Sequence, residues 1–186
     1  EKALDKSERA SLLINLGSAY HQVGDHETEM ECFNRALELD PTKPEALVGK
    51  GISLIIDFDK SAQAVRLLER GVKHNPDWIT HNPVTWYWLG LSNYRAERLH
   101  ESLEWINGGL SHQPGHEGLT RLKSEVLIRL TENETVITDD ARQFWEMRLK
   151  RNPMSYDERV RLIYLEKREN NIDRAWDLID ECLKFA

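Results

Sequence analysis

Side chains able to do chemistry occur throughout this sequence, but their spacing does not gather them into a reactive set. His112 and His116 stand at i and i+4, the separation that puts two imidazoles on one helix face as metal ligands. Pro114 and Gly115 lie between them and break the helix, and no third ligand is adjacent. The pair therefore reads as solvated loop histidines. The carboxylate pairs Asp57/Asp59 and Asp139/Asp140 have no acid–base partner beside them and read as turn and helix-cap residues. Serines are scattered without a nucleophile-elbow pattern, and no glycine-rich phosphate loop occurs. Asn133-Glu134-Thr135 matches the glycosylation pattern by chance, since nothing else indicates secretion. The expectation is a chain that is not an enzyme, with no catalytic residue, no cofactor and no metal.

The totals point the same way. The chain has 186 residues, 40% hydrophobic and 31% charged, with the charges spread rather than blocked, which reads as a folded soluble chain of domain size. A net charge of -7 argues against nucleic acid as a partner, because phosphate binding needs a concentrated positive field. Lys, Arg, Asp or Glu interrupts every apolar run short of the ~20 residues a membrane span needs, so no direct membrane insertion is expected. The first residues are charged and resemble no signal peptide, and the lack of a starting Met suggests an excised fragment. Compartment is left open, with the cytoplasm favoured. Cys32 and Cys182 lie at opposite ends of the sequence and are expected to be unbonded packing residues.

The informative signal is a repeat. Glu29, Ala64, Ser102 and Ala141 each stand 12 residues before a proline, namely Pro41, Pro76, Pro114 and Pro153. Four residues further on come Phe33, Leu68, Ile106 and Trp145, and three beyond those come Ala36, Gly71, Gly109 and Arg148. The prolines are 35, 38 and 39 residues apart, close to one pair of short helices with two turns. An earlier helix in each unit has its own signature. Leu13, Leu16, Gly17 and Tyr20 recur as Leu47, Lys50, Gly51 and Leu54, then as Trp86, Leu89, Gly90 and Asn93. That i, i+3, i+4, i+7 spacing occupies one helix face. Its glycine lets the second helix approach closely, which offsets the ~1 kcal/mol cost of glycine in a helix.

Trp86-x-x-Leu89-Gly90 followed by Ile106, Gly109 and Pro114 resembles the tetratricopeptide repeat, as does Leu13 to Pro41 with its Gly24-Asp25 and Ala36-Leu37-Glu38-Leu39-Asp40-Pro41. The resemblance implies an all-α, right-handed superhelical α-solenoid of antiparallel helix pairs, forming one domain over 1–186. Five repeats are expected at about 10–43, 44–78, 83–116, 117–153 and 155–186. The last two are degenerate. Repeat four offers only Leu119, Leu122 and Val126 in its first helix, and repeat five has lost its glycine. Glu29 and Arg148 depart from the small residues of the family pattern. The final units are expected to cap the array, with the polar stretch Glu166-Lys167-Arg168-Glu169 facing water.

In the family, positions 2, 5, 9 and 12 of each first helix line a concave groove where peptides dock. Carried over, these are Ser11, Ile14, Ser18 and His21, then Glu45, Val48, Ile52 and Ile55, then Val84, Tyr87, Leu91 and Tyr94. With Trp88, the expected partner-binding residues are Val48, Ile52, Ile55, Tyr87, Leu91 and Tyr94. The competing expectation is that this apolar strip is buried by neighbouring helices. The family's clamp of Lys, Asn and Arg for chaperone C-terminal carboxylates is absent, because matching positions hold Ile14, Ser18, Gly49, Val84 and Trp88. The insertion Asp77–Asn82 offers Trp78 either as a binding hot spot or as a plug between helices, the latter being the commoner fate of tryptophan. The chain is thus expected to be an adaptor or scaffold taking an apolar or helical segment of a protein or peptide partner. An accessory domain of a larger enzyme and a self-association module forming homo-oligomers are the alternatives.

Overall fold

The computed structural model describes residues 4–56, 60–132 and 138–184. Among them are the helices α1 (Lys6–Val23), α2 (His26–Leu39), α3 (Pro44–Ile56), α4 (Ser61–His74), α5 (Pro76–His81) and α6 (Val84–Arg95). They continue with α7 (Leu99–His112), α8 (Glu117–Glu132), α9 (Thr138–Arg151), α10 (Tyr156–Arg168) and α11 (Ile172–Leu183). The described residues contain no strand, and the fold is an all-α helical repeat. Asp57, Asp59 and the Asn133-Glu134-Thr135 triplet lie outside the described residues. No described helix is long and apolar enough to cross a membrane. Contacts divide the chain into two compact units, Glu1–Val126 and Leu127–Ala186.

In the first unit, α1 packs on α2, α3 on α4 and α6 on α7, so each pair joins neighbours in sequence. Close approach at the repeating glycine is what makes the pairs. A Cβ at Gly51 would lie 2.9 Å from Leu68 Cγ, and one at Gly90 would lie 2.9 Å from Ile106 Cγ1. The turn between paired helices recurs as well. Gly24, Glu97 and Asn170 each stand five residues before the small-residue position and adopt left-handed backbone, with φ of 78°, 59° and 62°. The next residue then donates back to the first helix, Asp25 to Tyr20 O at 3.0 Å, Arg98 to Asn93 O at 2.9 Å and Asn171 to Glu166 O at 2.8 Å. This is the Schellman closure, which satisfies carbonyls that a helix end leaves open. A third recurring bond ties one repeat to the next: Lys50 Nζ donates to Asn34 Oδ1 at 2.6 Å and Lys123 Nζ to Asn107 Oδ1 at 2.7 Å.

The main core of this unit joins Val48, Leu54, Ile55, Ala64, Leu68, Ile79 and Leu89. Leu89 is fully enclosed because it rests on the preceding repeat, whereas the corresponding Leu16 of α1 is 46% exposed. Leu16 thus stands open on the face it shares with Leu13, Gly17 and Tyr20. As the first helix, α1 packs chiefly on α2, with a smaller contact to α3. The insertion after Pro76 forms α5, with Pro76 in its first turn, where a missing N–H costs nothing. Ile79 is buried and Trp78 is half-buried against the core. Cys32 and Cys182 are free thiols, and burial pushes the Cys32 thiol up.

In the second unit, α10 packs on α9 and on α11. At one position there, a charged residue stands where other repeats have a small one. Arg148, at the position of Gly71 and Gly109, lies 5.7 Å over the Phe144 ring and donates to Glu158 at 2.7 Å. The stretch 166–169 does not simply face water. Lys167 is exposed, but Glu166 is only 4% exposed and accepts from Arg142 Nε at 2.9 Å and from Asn171 Nδ2 at 2.8 Å. Arg142 also pairs with Asp139 and Glu169. The reason is geometric: Glu166 belongs to the helix end whose carbonyl receives Asn171, so its side chain turns inward with that closure.

Gly109→Ala places its Cβ 2.7 Å from Trp86 Cβ and 2.6 Å from Leu119 Cδ1, and is expected to lose about 1–3 kcal/mol in urea unfolding. Gly115→Ala meets nothing within 4 Å and is expected to stay within about 0.5 kcal/mol of the parent. Arg142→Ala, which strands the buried Glu166 carboxylate, is expected to cost about 2 kcal/mol in the same measurement, below the cost of a fully buried pair because Arg142 is partly exposed.

Candidate functional site

The apolar strip of α3 and α6 divides between core and surface. Val48 and Ile55 are 4% and 1% exposed and belong to the core, which removes them from any open groove. Their burial follows from α6, whose Leu89 closes the same cluster. Ile52, Tyr87, Trp88, Leu91 and Tyr94 are half-buried, each presenting part of its surface. Tyr87 and Leu91 border a depression of about 280 Å³ completed by Gly118, Arg121, Leu122 and Glu125 of α8. The Tyr87 ring stacks on His116 at 6.3 Å and meets Trp88 edge-on at 5.4 Å. His116 is fixed in turn, its Nδ1 accepting from the Leu119 N–H at 3.2 Å, while His112 packs against Trp86. Arg121 and Glu125 pair at 3.3 Å. The result is a mixed surface, in which the Tyr87 ring and Leu91 stand beside a charged rim, suited to an anchoring apolar side chain of a peptide and to polar contact around it.

A second depression, of about 260 Å³, lies in the second unit between Ile128, Thr131, Trp145, Val160 and Tyr164. Tyr164 is 58% exposed, and the Arg161 guanidinium sits 5.1 Å over the Trp145 ring beside it. The sequence reading did not select these residues, yet the repeat register could have found them. Val160 and Tyr164 stand 15 and 11 residues before Ala175, as Tyr87 and Leu91 stand before Ser102.

The first repeat presents a different surface. Ser18 donates to the Ile14 carbonyl of its own helix, and Ser11 likewise to Ser7. His21 turns toward the α1–α2 turn, where its Nδ1 lies 3.0 Å from Glu29 Oε2. His26 Nδ1 lies 3.2 Å from the same oxygen, and the two imidazoles meet edge-on at 5.6 Å. Glu29 is 2% exposed. Its other oxygen, Oε1, receives the Ser53 hydroxyl, which is itself enclosed. His21, expected in the groove, and Glu29, a departure from the repeat pattern, are joined by the fold rather than by spacing.

A tetratricopeptide repeat model matches residues 10–43, the span of α1 and α2 with the following turn. The STIP1 homolog of Dictyostelium discoideum is 25% identical over 117 residues, a match covering 62% of this chain and 20% of the relative, so the chain spans about a fifth of that protein. Among solved structures, YrrB, described as a tetratricopeptide-repeat protein with an unusual peptide-binding site, superposes with a TM-score of 0.72 at 16% identity, covering 93% of this chain and 84% of YrrB. MamA gives 0.69 at 15% identity, over 96% and 92% of the two chains. The first tetratricopeptide domain of Spaghetti (RPAP3), solved with the HSP90 peptide SRMEEVD, gives 0.61 at 18% identity, over 67% and 95%. A tetratricopeptide repeat thus stands at 10–43, and the rest of the chain shares the helical-repeat fold of these structures.

Proposed function

We propose that the chain is a protein-interaction module that takes an apolar or helical segment of a partner against the α6–α8 depression. The observation that carries this reading is the half-open Tyr87–Leu91 surface, an aromatic and an aliphatic side chain bordered by the Arg121–Glu125 rim. Binding energy in such sites comes from aromatic and aliphatic anchors that leave water, with rim charges contributing orientation. YrrB has an unusual peptide-binding site and the Spaghetti domain binds an HSP90 peptide, which supports the class of ligand. The acidic sequence of the HSP90 peptide is a poorer match for this chain. Ile14, Ser18, Gly49, Val84 and Trp88 stand at the clamp positions and bring no cation to a carboxylate.

Selection of a random peptide library on the chain, with peptides displayed both internally and with free C-termini, tests the reading. Internal peptides rich in Leu, Phe and Trp are expected, and Leu91→Glu is expected to weaken them at least about tenfold by putting a charge in place of the aliphatic side chain. Selected peptides that bind the Leu91→Glu protein as well as the parent, or that depend on a free acidic C-terminus, would overturn it.

A further inference from the structure

We propose that His21, His26 and Glu29 form a binding site for a divalent transition ion of the Zn²⁺ class. The three donor atoms, two imidazole nitrogens and one carboxylate oxygen, all lie within 4.8 Å of one another. Zinc bonds to such donors measure about 2.0–2.2 Å, which at tetrahedral angles holds the donors about 3.3–3.5 Å apart. The Glu29 oxygen lies 3.0 Å from His21 Nδ1 and 3.2 Å from His26 Nδ1, so the two carboxylate–imidazole separations are already close to those around a bound ion, and side-chain rotation of the histidines completes the site. The donor set itself, neutral nitrogen and anionic oxygen, suits Zn²⁺ and its neighbours rather than Mg²⁺ or Ca²⁺.

Packing alone does not call for a carboxylate at position 29. The equivalent positions are Ala64, Ser102, Ala141 and Ala175, all small and enclosed by the paired helices. Four units therefore close their helix pairs at this point without a carboxylate. Burying one costs free energy unless charge and hydrogen bonds compensate it, and here everything around it supplies them. Ser53, from the second repeat, donates its hydroxyl to Oε1. That leaves Oε2 aimed at the two imidazoles. A hydrogen bond orienting a ligating carboxylate is the usual outer support of a metal centre. The His21 and His26 side chains are 39% and 36% exposed, so an ion can enter from solvent and keep a coordination position open to water or to a donor from another molecule.

Calorimetric titration of the untagged chain with ZnCl₂, paired with thermal unfolding and with the visible spectrum of Co²⁺, tests the assignment. One Zn²⁺ per chain is expected, with a rise in Tm and Co²⁺ bands of a four- or five-coordinate ion. His21→Ala and His26→Ala, at partly exposed positions, are each expected to weaken Zn²⁺ by more than about 100-fold, and Ser53→Ala by about tenfold through loss of the orienting bond. Glu29→Ala installs the residue that three other repeats already use; it is expected to remain helical by circular dichroism and to bind no Zn²⁺. Absence of binding at millimolar ZnCl₂, or binding that His21→Ala and His26→Ala leave unchanged, would overturn the proposal.

Discussion

Two helices of a repeat can share a core only if their backbones come closer than ordinary side chains permit. In the first unit that distance is set where Gly51 meets Leu68 and where Gly90 meets Ile106, with no room for even a methyl group. Other features of the pair depend on it. The inter-helix turn must bring the second helix back at once, hence the left-handed residue and the Schellman bond at Gly24, Glu97 and Asn170. The first helix of the next repeat must then cover what the pair leaves open, as Leu89 covers Leu54 and Leu68. Stability accumulates by stacking, so each pair contributes little alone.

Once the frame is set by small residues at a few positions, departures from them are informative. Glu29 and Arg148 both put a charge where a small side chain suffices. Each is surrounded by partners that suit it, Ser53 and two imidazoles in one case, Glu158 and the Phe144 face in the other. Only at Glu29 do the partners form a set of donors that converge on one point. At Arg148 the contacts satisfy the guanidinium within the packing of α9 on α10.

The fold was legible because its cause is periodic. Glycine at the close approach, a bulky apolar residue four positions before it, and proline after the second helix repeat together, and tertiary context does not have to be known to read them. The surface was less legible. Val48 and Tyr87 hold the same position in their helices, yet Val48 is enclosed while Tyr87 is half-open, because α6 and its tryptophans cover the second repeat more fully than α8 covers the third. Covering depends on the size of the neighbour's side chains rather than on register. Glu166 illustrates the same limit, since hydropathy gives no sign that Arg142 and Asn171 draw a carboxylate inward.

The Arg142 cluster also gives the second unit a different solvent dependence from the first. Methyl and ring contacts such as those of Leu68 and Ile106 strengthen as salts drive apolar surface out of water. A guanidinium shared by three carboxylates and still partly open to solvent is weakened by the same ions through screening. One helical architecture is thus held together by forces of opposite ionic-strength response at different points along its length.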